Sequence, residues 1–463
     1  MNIRSNLVSS AQPYLLAGKA ATASASNGHT QDLTPDYRNL RARLHRQVLD
    51  SVDLGQLEHE APERTKERLS LLVEQAISNA GAALNAAERR QMVGDVIAEI
   101  TGLGPLEPLL TDPTVADILV NSSSDVFVER GGRLERTAVQ FDDDQHLMTL
   151  IERIVSRVGR RIDESSPMVD ARLSDGSRVN AIIAPLSVDG PCLSIRKFAR
   201  EPLRMDDLVA RGALPAFVAE LLAGMVAARL NILISGGTGT GKTTLLNVLS
   251  AFIPHDERII TIEDAAELQL QQPHVVRLET RPPNIEGRGE VTQRALVRNS
   301  LRMRPDRIIL GEVRGEEAFD MLQAMNTGHE GSLATVHANS PRDALMRLEN
   351  MVGMAELSLS PRAIRQQVAS SIDAVIQLSR LADGTRRLST VSEVTGMEGE
   401  TISMQAIFEL RQTGIDAGGR VLGNFHSTGV RPRFVDRLLS RSIRVADELF
   451  DPHRRQPLQG DHA

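Results

Sequence analysis

The chain is poor in residues that mark several common chemistries. It has one cysteine, Cys192, no tryptophan and only 3% aromatic residues in 463. A single cysteine excludes an intramolecular disulfide and a cysteine-built metal cluster, so Cys192 reads as a small core residue. Scarce rings and a net charge of −7 argue against a nucleic-acid groove, which normally joins positive charge to stacking surfaces. No apolar run reaches the roughly 18 residues of a membrane span; Leu214 to Ile234 comes closest and is broken by Pro215, Glu220, Arg229 and Asn231. Nor does Asn2 to Gly28 hold the continuous apolar block of a signal peptide. The expectation is a cytoplasmic protein, with docking at a membrane surface left open.

What is present is concentrated in one stretch. Asn231 to Ser235 reads as a short strand buried on both faces, and Thr243 to Ile253 as a helix stopped by Pro254. Between them Gly236, Gly237, Thr238, Gly239, Thr240, Gly241, Lys242, Thr243 and Thr244 contain the whole pattern G-x-x-x-x-G-K-[ST]. Its glycines let backbone N–H groups curl around phosphate oxygens, its lysine reaches the terminal phosphates, and the Thr243 hydroxyl suits magnesium. The anion then sits at a helix start, where the dipole favours it.

Length suggests about three domains, and the pattern along the chain divides further. Residues 1–34 are polar and are expected to be disordered. Helical spacing within 35–103, carried by Leu44, Val48, Leu69, Val73, Met92 and Ile97 among others, predicts a three-helix bundle. Short strands around one helix predict a separate α/β domain over 104–200. From 201 to 430 strands and helices alternate, as in a parallel sheet with crossover helices. Residues 431–463 read as a helical segment and tail, whose arginines beside Val435, Leu438, Leu439 and Ile443 suit either a solvated helix face or an anionic surface.

Three further clusters bear on chemistry. The predicted strand Arg307 to Leu310 ends in Gly311-Glu312, the place where phosphate-loop proteins deliver a carboxylate to magnesium and the attacking water. The usual aspartate is absent there, so Glu312 has to polarise water directly or through the metal. The strand Arg258 to Ile262 runs into Glu263, Asp264 and Glu267, three acids that are costly together unless magnesium or an arginine lies among them. His329 and His337 flank a glycine-containing turn without metal-ligand spacing, which suggests a polar sensor of phosphate and not a zinc site. Arg178 and Arg196, taken alone, read as solvated strand-edge arginines.

The order of these motifs resembles the type II/type IV secretion ATPase superfamily, and within it the CpaF family of tight-adherence (Flp, or tad) pilus assembly ATPases. The matching wording lies in Gly102 to Asp112, Asp117 to Asn121, Arg281 to Gly287, Leu296 to Gly315 and Leu322 to Ser340, and the likeness spans roughly Leu40 to Phe450. Ala265 stands where many relatives have proline, and Glu330 where close relatives often have aspartate. The resemblance implies an α/β fold in which a RecA-like P-loop ATPase core is preceded by a smaller α/β (PAS-like) domain and an N-terminal helical bundle. It implies ATP and Mg2+ as cofactors, with Thr243, Glu263 and Glu312 about the metal. Glu312 takes the catalytic carboxylate role, Glu263 the Asp-box acid, and His329 and His337 the His box, while Arg178 and Arg196 approach the terminal phosphate. It further implies a homo-hexamer, cytoplasmic and peripheral to the inner membrane, that works on pilus platform proteins there, with no nucleic acid expected. The competing expectations are a RecA-like nucleic-acid translocase and a small-molecule kinase.

Overall fold

The computed structural model describes residues 35–51, 62–198, 203–283, 287–355 and 359–458. The segment 1–34, expected to be disordered, lies outside the described residues, as do positions 284–286 of the Arg281 to Gly287 match. The chain forms two compact units, one ending at Glu107 and also holding Ala138–Asp142, the other made of Pro108–Thr137 and everything from Asp143 on.

The first unit is built from α1 (Pro35–Ser51), α2 (Pro62–Asn79) and α3 (Ala86–Thr101). Leu44, Val48, Leu69, Val73, Ile77, Met92 and Val96 recur at helical spacing and close a common core. Asn85 and Glu88 start α3 with a capping box, each side chain taking the other's backbone N–H. Arg41 is buried in the same unit and meets Glu99 at 3.7 Å and Asp142 at 2.8 Å.

The second unit begins within the short α4 (Glu107–Thr111) and continues into a small sheet. Its strands are β1 (Val115–Ser122), β2 (Asp125–Arg130), β3 (Arg133–Arg136), then, after helix α5 (Asp144–Arg157), β4 (Met168–Arg172), β5 (Arg178–Ile182) and β6 (Cys192–Arg196). They pair antiparallel in the order β3-β2-β1-β6-β5-β4. The register sets Arg178 opposite Arg196, so these two arginines share a face of the sheet.

Beyond it come α6 (Met205–Ala210), α7 (Ala216–Ala227), β7 (Ile232–Gly236), α8 (Lys242–Ser250), β8 (Ile259–Glu263), β9 (Val275–Glu279), α9 (Gln293–Ser300), β10 (Arg307–Leu310), α10 (Glu317–Asn326), β11 (Leu333–Val336), α11 (Pro341–Met354), α12 (Pro361–Ser371), β12 (Ala374–Arg380), β13 (Arg386–Glu398), β14 (Thr401–Ile415), β15 (Val421–Ser427), α13 (Phe434–Ser440) and β16 (Arg455–Pro457). The strands make one ten-stranded sheet, β16-β15-β14-β13-β12-β7-β11-β10-β8-β9. From β12 to β9 every pairing is parallel; from β12 outward to β16 every pairing is antiparallel. Ile232 and Ile234 of β7 face one hydrophobic core and Leu233 the other, which is why that strand reads as a continuous apolar run.

The sequence-based helix at the C-terminus is shorter in the structure. α13 ends at Ser440, Ser442 turns with φ of +62°, and a 3-10 turn follows at Asp447–Phe450. Phe434, Val435, Leu438, Leu449 and Phe450 all enter the main core, and β16 extends the sheet. No described helix is long and apolar enough to cross a membrane.

Candidate functional site

The parallel registers align Val336 with Ser235, and Leu310 with both Ala334 and Ile262. The carboxyl ends of β7, β11, β10 and β8 therefore lie side by side, and the loops leaving them carry most of the residues singled out from the sequence. Gly236 closes β7 where a Cβ would come within 2.5 Å of Thr240 Oγ1 and 2.8 Å of Leu378 O. Gly239 and Gly241 follow with φ of +69° and +95°, a region that L side chains rarely adopt. Thr240 Oγ1 donates to Gly237 O at 2.9 Å, and α8 begins at Lys242 without a side-chain cap, so its first N–H groups remain available to an anion.

Lys242 lies across this loop. Its Nζ donates to Gly236 O at 3.0 Å and Gly237 O at 2.9 Å, and His337 Nδ1 is 3.3 Å away. Burial lowers the lysine pKa, partly opposed by Glu312 and reinforced by Arg314. His337 Nε2 lies 3.1 Å from Glu312 Oε1. Burial and the neighbouring Lys242 hold the imidazole below its ordinary value. A neutral ring donating through Nε2 to Glu312 and accepting at Nδ1 from Lys242 satisfies both contacts.

Glu312 is aimed by its backbone. Val313 N–H donates to Thr335 O at 2.8 Å, and Thr335 Oγ1 donates to Gly311 O at 2.6 Å, so the segment rides on β11. Burial pushes the Glu312 carboxyl up, but Arg314, His337 and Lys242 outweigh it and leave the group below its ordinary value. An ionised carboxylate thus stands beside the lysine at neutral pH.

The three acids at and after the end of β8 meet different partners. Asp264 pairs with Arg314 at 2.9 Å and Glu267 with Arg178 at 2.8 Å. Glu263, only 4% exposed, forms no ion pair among the described residues: Oε2 accepts from the N–H groups of Glu267 at 2.7 Å and Leu268 at 2.9 Å, and Oε1 has no hydrogen-bond partner among them. Burial outweighs those hydrogen bonds and the attraction of Arg277 and raises its pKa to about 7. Gly311 is required here, because a Cβ would lie 2.8 Å from Glu263 Cγ.

This donor set fits magnesium and a nucleotide phosphate. The orphaned Glu263 oxygen, the Thr243 hydroxyl and the Glu312 carboxylate are hard oxygen ligands. Among the described residues no three His, Cys, Asp or Glu side chains converge as a closed metal cage.

Residues 99–421 match the family described as type II/IV secretion system protein. The chain belongs to this family. A putative conjugal transfer protein of Mycobacterium tuberculosis is 41% identical over 307 residues, covering 65% of this chain and 87% of that one. The type IV secretion system protein VirB11 of Brucella suis is 34% identical over 323 residues, covering 63% and 88%. The solved structure of the Brucella suis VirB11 ATPase with sulphate matches at 32% identity and a TM-score of 0.34, covering 62% of this chain and 94% of that one.

In this chain Lys242, His337 and Glu312 are in contact and Glu263 lies against Gly311 next to Glu312, but other expected site residues lie apart. His329 precedes β11 by four residues, and Leu333 at the start of β11 pairs with Ile232 at the start of β7. A parallel register therefore puts His329 at the amino edge of the sheet, opposite the phosphate loop of the same chain. There Gly331 and Ser332 donate their N–H groups to Asn231 Oδ1 at 2.8 and 3.2 Å. Arg178 reaches the site's margin through Glu267, whereas Arg196 is held by Asp117 at 3.1 Å. Arg314 was not singled out from the sequence, although the cost of three clustered acids called for a cation among them.

Proposed function

We propose that this chain hydrolyses ATP as the motor of a secretion or pilus-assembly machine. The observation that carries the reading is the contact series Lys242, His337, Glu312 across three strand ends beside a complete phosphate loop. On nucleotide binding Lys242 exchanges the Gly236 and Gly237 carbonyls for phosphate oxygens, and the N–H groups at the start of α8 complete the cradle. Thr243 and Glu263 hold magnesium, which supplies charge neutralisation at the phosphates when bound. Glu312 accepts a proton from the attacking water, with His337 keeping its carboxylate oriented. Arg178 and Arg196 leave Glu267 and Asp117 and approach the terminal phosphate as the small sheet closes on the core, within one subunit or from a neighbour.

The wider reading is a homo-hexamer with a RecA-like core, of the CpaF tight-adherence type. It is cytoplasmic, held peripherally at the inner membrane by pilus platform proteins, and drives assembly of a tad or type IV-like pilus. The nucleic-acid translocase alternative is not favoured by the net charge of −7 and 3% aromatic content. The site is tested by phosphate release with magnesium and ATP. Lys242→Ala should abolish it with the fold intact by circular dichroism. Glu312→Gln should keep nucleotide binding and lose at least about a hundredfold in rate, the scale of a positioned base. Wild-type turnover in either variant sinks the assignment of that residue.

A further inference from the structure

Arg314 lies outside the phosphate loop, yet it touches two of the strand ends that carry acids. One guanidinium nitrogen lies 2.9 Å from Asp264 Oδ2, past β8, and the other 2.7 Å from Glu312 Oε2, past β10. Its own turn is fixed from beneath: the N–H groups of Arg314 and Gly315 donate to Glu317 Oε1 at 2.6 and 2.8 Å, and Glu317 is buried. The Arg314 side chain is more than half exposed, and ion pairs of that kind contribute little to folding. Stability therefore does not account for a guanidinium set between two carboxylates with its backbone pinned.

The Asp264 end of this bridge belongs to a loop that the small sheet also grips. Arg178 of β5 pairs with Glu267. Arg172 of β4 donates to Ala266 O and pairs with Glu279 at 3.1 Å. Displacement of that sheet therefore pulls on the segment containing Asp264, and Arg314 is the side chain that joins this segment to Glu312.

We propose that Arg314 is a positioning residue for hydrolysis, holding the Glu312 carboxylate in place and passing to it the position of the loop after β8 through Asp264. The inference rests on Glu312 being the base. A displaced base loses rate steeply with distance, about a hundredfold for about 1 Å. Among the described residues Arg314 is bonded to the two carboxylates and not to the phosphate loop, and its field on Lys242 is a lesser effect there than burial, so its loss should change nucleotide affinity little.

The test uses the full chain, steady-state hydrolysis of magnesium-ATP, and direct binding of a fluorescent ATP analogue. Arg314→Ala should lower kcat by about tenfold to a hundredfold, with KM and analogue Kd within about twofold and an unchanged melting temperature. Arg314→Lys should recover part of the rate. Asp264→Asn should slow the wild type but add nothing in the Arg314→Ala background, because the two act as one bridge. Independent, multiplying losses overturn the proposal, as does a fall in kcat matched by equal loss of analogue binding and a lower melting temperature. If Glu312→Gln is inert while Arg314→Ala turns over normally, this inference alone fails. If Glu312→Gln hydrolyses at the wild-type rate, the base assignment fails and the inference with it.

Discussion

In the ligand-free protein Glu263 carries a cost that grows with pH, and Glu263→Gln should remove it. The carboxyl is 4% exposed, has one oxygen bonded to two backbone N–H groups and the other without a hydrogen-bond partner among the described residues. Burial raises its pKa from 4.5 to about 7. Between those values the native state keeps a proton that the unfolded chain has released, so stability falls as pH rises through the window. The favourable contribution of the protonated carboxyl is complete below 4.5 and gone above about 7. At about 1.4 kcal/mol for each pH unit, the change between about pH 5 and about pH 8 amounts to about 2 to 3 kcal/mol. A neutral amide does not titrate there, so the stability difference should move by that amount in favour of Glu263→Gln. Urea unfolding in a chelator across this pH range measures it. Magnesium with nucleotide, added at about pH 8, should stabilise wild type more than Glu263→Gln, because a cation at Oε1 relieves the same cost. A stability difference that stays flat with pH would refute the reasoning, since it would mean that Glu263 ionises in place without penalty.

Arg178→Ala and Arg196→Ala should bind ATP almost normally yet hydrolyse it about a thousandfold more slowly, as expected of arginines that act at the transition state; parallel loss of analogue binding would argue for a ground-state role. If the closed site depends on neighbouring subunits, activity per chain should rise with protein concentration, and mixing Glu312→Gln into wild type should depress activity more than in proportion. Strictly proportional loss in a preparation shown to be monomeric would remove the ring from the mechanism. Away from the site, Arg307 is fully buried and bonds to Glu257 through two nitrogens, at 2.5 and 3.2 Å, and to Val226 O at 2.8 Å. Glu257→Ala leaves that guanidinium uncompensated and should cost about 3 to 5 kcal/mol of stability, read by urea unfolding; a loss below about 1 kcal/mol would show that water or Asp306 takes over.

The phosphate loop was legible in the sequence because its chemistry is local: nine consecutive residues carry the turn, the backbone donors, the lysine and the hydroxyl, with a strand before and a helix after. Glu312 and Glu263 were legible for a related reason, since each ends an apolar run short enough to be a strand, and parallel strands deliver their ends to one edge. The hairpin of β12 and β13 across Asp383-Gly384 was legible too, but the antiparallel extension beyond β13 was not. β14 alternates poorly between buried and exposed positions and leaves its last residues in solvent, and register shifts interrupt its pairing with β13 and β15. A period-two pattern therefore never forms along it. The separation of His329 from His337 was not legible, because the histidine motif reads as one unit along the chain, whereas a strand of four residues carries its two histidines to opposite edges of the sheet. Pairing decided the rest. Asp264 and Glu267 pair with arginines from other elements, whereas Glu263 forms no ion pair among the described residues, so three acids within five residues of one another meet different fields. Which cation reaches which carboxylate depends on strand order and register, and those are settled by contacts among residues far apart in the chain.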